Sequence, residues 1–138
     1  MAESHLRVLV QLAKSDGEFD HSEKEFIQKF GQVNGLRDEE IQDLIENTQA
    51  GDSIPDLSEL SFDEKFEYMY SIVQLMRIDG KLHKDEISFC IRVTSELGYE
   101  EQALFEFITA TYSDPKESYN KELIKKKMFE YFNDREND

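Results

Sequence analysis

A motif of the form Asp-Gly-x5-Glu occurs twice in this chain, beginning at Asp16 and again at Asp79. The flanking residues match at the same offset without a gap, most clearly where Val10-Gln11-Leu12 is answered by Val73-Gln74-Leu75. Other pairs that match at this offset are Phe26 with Phe89 and Gly35 with Gly98. We therefore predict two copies of one structural unit that pack together, because neither copy can cover its own apolar face alone.

Apolar residues recur at helical spacing along seven segments, of which the first contains Leu6, Leu9, Val10 and Ala13. No segment of useful length alternates with period two, so no strand is predicted. The predicted fold is all-α: a single compact bundle of about seven helices, built from two three-helix pseudo-repeats plus a C-terminal helix. One domain spans residues 1–138, with the pseudo-repeats at about 5–50 and about 63–113 and the C-terminal helix at about 118–133.

Helix ends are marked by short polar motifs and by glycines. Ser22 with Glu25, and Ser61 with Glu64, have the S-x-x-E spacing of a capping box, in which the hydroxyl accepts a helix N–H and the Glu reaches back. The glycines just past the apolar stripes favour the left-handed conformation that ends a helix; these are Gly17, Gly35, Gly51, Gly80 and Gly98.

The charge of the chain restricts its partners. Sixteen basic and 31 acidic residues in 138 give a formal net charge of −15. This charge disfavours binding to nucleic acid, because it repels the phosphate backbone. The one dense basic run, 125–127, does not form a basic surface, because its three lysines point in different directions on a helix. The same charge favours cations and basic proteins as binding partners.

Two further features of the sequence bear on where the protein works. No apolar run reaches the roughly 18 residues of a membrane span, so direct membrane insertion is not expected. The single cysteine, Cys90, excludes an internal disulfide. We therefore predict a cytoplasmic protein.

The repeated acids form a candidate metal site made of Asp16, Glu23, Asp79 and Glu86. Hard cations such as calcium, magnesium and manganese prefer carboxylate oxygens, and two packed copies could bring four carboxylates together or form two sites. The alternative is that each motif is a helix stop followed by an acidic first turn, where Glu complements the helix dipole. The spacing alone leaves both interpretations open.

Other metal and catalytic motifs fit the chain poorly. An EF-hand loop would place its first ligands at Leu12 and Lys14, which cannot hold a cation, so a true EF-hand is excluded. Glu18-x-x-His21 has the spacing of di-metal bundles, but His83 in the second copy is out of register. Cys90 lies on an apolar stripe and is predicted to be a buried core thiol.

The chain resembles the tellurite-resistance TerB-like family at two strings, 12–23 (LAKSDGEFDHSE) and 75–86 (LMRIDGKLHKDE), and over most of its length. The resemblance implies a helical bundle with an acidic cluster, divalent-cation binding, and a stress-response or tellurite-resistance system. It also implies a protein partner that can be membrane-associated. Asp16, Glu23, Asp79 and Glu86 are the positions that carry over.

Three functional hypotheses follow from these features. The first is a non-enzymatic, divalent-cation-binding helical domain of a stress-response or tellurite-resistance system. The second is an acidic protein-interaction or adaptor module that needs no ordered metal. The third is an enzyme, a di-metal oxidase or a hydrolase, supported by one Glu-x-x-His and the carboxylates.

Overall fold

The computed structural model describes residues 2–15, 17, 19–78, 83–112 and 121–136. Within these residues the chain forms seven α-helices and no strand, which confirms the all-α prediction. The helices are α1 (Ala2–Lys14), α2 (His21–Val33), α3 (Asp38–Asn47), α4 (Phe62–Arg77), α5 (Lys84–Glu96), α6 (Glu101–Tyr112) and α7 (Lys121–Glu136). The described part of the C-terminal helix begins at Lys121 and continues past the predicted end to Glu136.

Helices α1 and α4 form the centre of the bundle. Helix α1 packs against α2, α3, α4 and α5, and α4 packs against α1, α5 and α6. Because neighbours surround it, α1 buries apolar residues on more than one face, as the burial of Leu6, Val8, Leu9, Val10 and Leu12 shows. The remaining helices contribute one apolar stripe each to the same core, and α7 reaches it through Ile124 and Met128.

Helix α2 comes very close to α3 at Gly31. A Cβ atom at this position would lie 2.6 Å from Cδ1 of Ile41, well inside van der Waals contact. The absence of a side chain at Gly31 therefore permits the close contact between the two helices.

Residues 48–61, between α3 and α4, are irregular but hydrogen-bonded to two helices. The backbone N–H of Leu57 donates a hydrogen bond to the carbonyl of Glu96 at 2.9 Å, and the Leu57 side chain is buried. The side chain of Gln11 donates to the carbonyl of Asp52 at 2.7 Å. These bonds hold this linker against α1 and the end of α5.

The ammonium group of Lys14 caps the end of α3. It donates to the backbone carbonyls of Ile45 and Thr48, the latter at 2.8 Å. The last carbonyls of a helix lack partners within the helix and carry partial negative charge. A lysine there donates hydrogen bonds to these carbonyls and places a positive charge beside them. Lys14 thus joins the end of α1 to the end of α3.

Candidate functional site

The structure describes two of the four predicted metal ligands. Asp16 and Asp79 lie outside the described residues, whereas Glu23 and Glu86 lie within them. Glu23 is the third residue of α2 and Glu86 the third residue of α5. Both glutamates are buried, with only 6% and 3% of their surface exposed. A carboxylate is seldom buried without hydrogen bonds or positive charge around it, so the surroundings of each are informative.

Glu23 belongs to a capping box at the start of α2. Oδ1 of Asp20 accepts a hydrogen bond from the backbone N–H of Glu23 at 2.9 Å, and the N–H of Asp20 donates to Oε1 of Glu23 at 3.3 Å. The predicted pair of Ser22 with Glu25 is therefore wrong for this helix, since the N-cap is Asp20. The prediction for α4 is confirmed in part: Ser61 is the N-cap and its hydroxyl accepts from the N–H of Glu64, but Oε1 of Glu64 accepts from that hydroxyl and not from the backbone N–H of Ser61.

Glu86 lies at the corresponding point of α5, next to a histidine. Its Oε1 atom is 3.8 Å from Nε2 of His83, the N-cap residue, whose side chain is 34% exposed. A protonated His83 would therefore form an ion pair with this buried carboxylate.

Cys90 lies one turn after Glu86 and is fully buried, as predicted for a core thiol. Burial, with the negative charge of Glu86 as a second cause, raises the pKa of the thiol well above its usual range. Its Sγ atom lies 3.6 Å from Sδ of Met76. A thiol that stays protonated in an apolar environment is a poor nucleophile, so Cys90 has a packing role.

The histidine of the Glu-x-x-His string lies on the surface. Nε2 of His21 is 2.7 Å from Oε1 of Glu25, one turn later, and both side chains are largely exposed. Glu18, the other member of the string, lies outside the described residues. Among the side chains that the structure does describe, no three His, Cys, Asp or Glu residues are grouped so that they could hold a metal ion.

A second candidate site, which was not predicted from the sequence, lies between α1, α2, α4 and the linker. A cavity of about 450 Å³ opens here. Apolar and aromatic side chains form its floor, chiefly His5, Phe30, Leu57, Leu60 and Tyr68. Three acidic residues, Asp56, Glu64 and Glu67, also line it. We call this cavity the acidic groove.

His5 is the most constrained side chain of the acidic groove. Its Nε2 atom lies 2.7 Å from the Ser71 hydroxyl, and this hydroxyl donates to the carbonyl of Tyr68 at 3.0 Å. Since the hydroxyl proton is used in that bond, Nε2 of His5 is the donor to Ser71. The imidazole stacks on the Tyr68 ring at 4.0 Å and meets the Phe30 ring edge-on at 4.6 Å.

Burial, followed by the positive charge of Lys121, lowers the pKa of His5 to about 4. The imidazole is therefore neutral at physiological pH. The sequence signal for this residue was a histidine on the apolar face of the first helix, one turn before Leu9.

None of the helices in the described ranges is both long and apolar enough to cross a membrane. The chain matches no protein-family model, no curated protein and no solved structure. The resemblance to the TerB-like family accordingly stays a prediction from the sequence motifs.

Proposed function

We propose that this chain is a non-enzymatic, divalent-cation-binding helical domain of a cytoplasmic stress-response or tellurite-resistance system. The candidate ligands are Asp16, Glu23, Asp79 and Glu86, and the candidate ions are calcium, magnesium and manganese. The observation that carries the proposal is the burial of Glu23 and Glu86 at the same position, the third residue, of two different helices.

The positions of the helix ends support a twofold internal repeat, in which the two acid pairs would occupy equivalent positions. The offset that relates the two Asp-Gly-x5-Glu motifs also relates both ends of α2 to both ends of α5. The same offset relates the start of α3 to the start of α6, and the end of α1 to the end of α4. Gly35 and Gly98, another matched pair, follow α2 and α5 with φ angles of 85° and 86°. We therefore propose that residues of about 5–50 and about 63–113 are copies of one three-helix unit.

The chemistry of the buried acids also favours a cation. Each glutamate lies in the first turn of its helix, and in the sequence it follows the aspartate of the same motif by seven residues. Each motif therefore combines an aspartate with a glutamate that is removed from solvent. The carboxylate oxygens of both residues are the ligands that a hard divalent cation prefers.

Thermal unfolding with added ions tests the cation proposal. An ion present at about ten times its Kd should stabilise the folded chain by about 1.4 kcal/mol, which raises Tm by about 4 °C for a domain of this size. The double variant Asp16→Asn, Asp79→Asn should lose this response to calcium, magnesium or manganese. Asp38→Asn with Glu101→Gln, two acids at other helix starts, makes the same change of charge and should keep the response. A wild-type Tm that does not move at millimolar concentrations of any of the three ions would contradict the proposal.

The acidic groove favours a second candidate function, an adaptor that binds a basic protein without ordered metal. Its acidic rim and aromatic floor suit a partner with both positive and apolar groups. The two functions differ in their response to chelator and salt. An adaptor complex should survive EDTA and dissociate as sodium chloride rises from about 50 mM to about 500 mM, because salt screens attraction between exposed charges. Dissociation by EDTA at low salt would contradict the adaptor function.

A further inference from the structure

We infer that the acidic groove is a docking surface for a basic, amphipathic helical segment of a protein partner. The inference rests on the adaptor function proposed above and adds to it the surface and the chemistry of the partner. It is independent of the cation proposal, because the groove contains none of the four candidate metal ligands.

The proposed docking surface consists of the first cavity and a second one beside it, and from here on the acidic groove means both. A second cavity of about 460 Å³ adjoins the first, and the two share Phe30, Asn34 and Glu67 in their linings. The second cavity continues along α2 with Phe26 and Val33. A helix that docks in such a groove places apolar residues from successive turns into successive depressions.

The floor of the groove is fixed in shape before any partner binds. His5 is held between Tyr68 and Phe30 and hydrogen-bonded to Ser71, so these rings do not have to be ordered on binding. At the far end Val33 is 78% exposed, the highest exposure among the large apolar residues of the described chain. A preformed aromatic floor next to exposed apolar side chains is typical of the buried centre of a protein interface.

The charges along the groove select a basic occupant. Asp56 and Glu64 are exposed at the rim. Glu67 already binds an ammonium group of this chain, since Nζ of Lys121 lies 2.7 Å from its Oε1 atom. Lys29 and Lys121 are the cations of the second cavity, so the most acidic part is the end near the linker. The net charge of −15 attracts a positively charged segment to this surface.

A labelled peptide provides the test. The probe is a fluorescein-labelled synthetic peptide of about 14 residues, composed of lysine and leucine so that the leucines form one helical face. Binding to the full chain is measured by fluorescence anisotropy in EDTA. The double variant Asp56→Asn, Glu64→Gln should raise Kd about tenfold, because it removes the rim charges. The control double variant Glu101→Gln, Glu130→Gln removes two exposed charges elsewhere and should raise Kd less than about twofold.

A second pair of variants tests the apolar contact. Val33→Asp should weaken binding about tenfold, whereas Phe105→Asp, at an exposed apolar position on α6, should change Kd less than about threefold. The groove positions and their controls all lie on the surface. Circular dichroism of each variant checks that it is folded. Equal effects of groove and control variants would overturn the groove as the docking surface while leaving an acidic adaptor possible. An absence of any binding by the wild-type chain would overturn the groove inference. EDTA-sensitive partner binding would instead contradict the adaptor function.

Discussion

Replacing Phe107 by alanine is expected to lower the free energy of unfolding by about 4 kcal/mol. Phe107 is 1% exposed and is among the largest fully buried side chains of the described residues. Its ring centroid lies 5.5 Å from that of Phe66, so it joins α6 to the central helix α4. Truncation removes the transfer free energy of the ring and leaves a cavity between helices that cannot fully close.

The same helix offers a matched control. Phe105, on the opposite side of α6, is 40% exposed, and Phe105→Ala should cost less than about 1 kcal/mol. Urea denaturation followed by circular dichroism measures both values, and the slope of the transition should stay unchanged if only stability differs. Similar losses for the two variants would show that α6 does not present the Phe107 face to the core.

The helices could be predicted because burial imposes a period on the sequence. Each apolar stripe coincides with a helix of the described chain, and the stripe of α6 continues through Leu104, Phe107 and Ile108. Of the predicted glycine stops, Gly17, Gly35 and Gly98 have the left-handed backbone that other residues avoid, whereas Gly51 does not, and Gly80 lies outside the described residues. These features depend on the spacing and the backbone preferences of neighbouring residues, both of which can be inferred from the sequence.

The start of α2 shows where local spacing stops being sufficient. Asp20 and Ser22 each precede a glutamate at capping-box spacing, so two overlapping capping boxes are possible. Packing selects Asp20, and this register buries Glu23 while leaving the Glu25 side chain 65% exposed. The choice between the two caps therefore depends on which glutamate faces the bundle. Local spacing in the sequence does not determine this orientation.

The acidic groove could not be predicted because its parts are far apart in the chain. His5 and its hydrogen-bond partner Ser71 are 66 residues apart, and the rim comes from the linker and α4. The sequence does contain one sign, a histidine at an apolar position of α1. Such a position requires a polar partner from another helix, and only the packing of α1 on α4 identifies it.

The buried state of His5 predicts a loss of stability in mild acid. In the unfolded chain this imidazole has an ordinary pKa of about 6.5, whereas burial and then Lys121 lower it to about 4 in the folded chain. The folded chain binds the proton more weakly than the unfolded chain does. The contribution of neutral His5 to the free energy of unfolding is therefore retained above about pH 6.5 and lost as pH falls toward about 4. Glu64 and Glu67 line the same cavity as the imidazole and carry the opposite charge to Lys121. Between about pH 7.5 and about pH 5 the expected loss from this group is about 2 kcal/mol.

His5→Phe isolates this effect from the titration of the carboxylates. Phenylalanine keeps the ring between Tyr68 and Phe30 but cannot be protonated, and the Ser71 hydroxyl keeps its bond to the carbonyl of Tyr68. The free energy of unfolding, measured by urea denaturation at both pH values, should fall by about 2 kcal/mol less in this variant than in the wild type. His21→Gln, which removes an exposed histidine, should lose as much stability in acid as the wild type. If His5→Phe and the wild type lose the same amount, His5 is protonated in the folded chain at the lower pH and its burial does not exclude the proton.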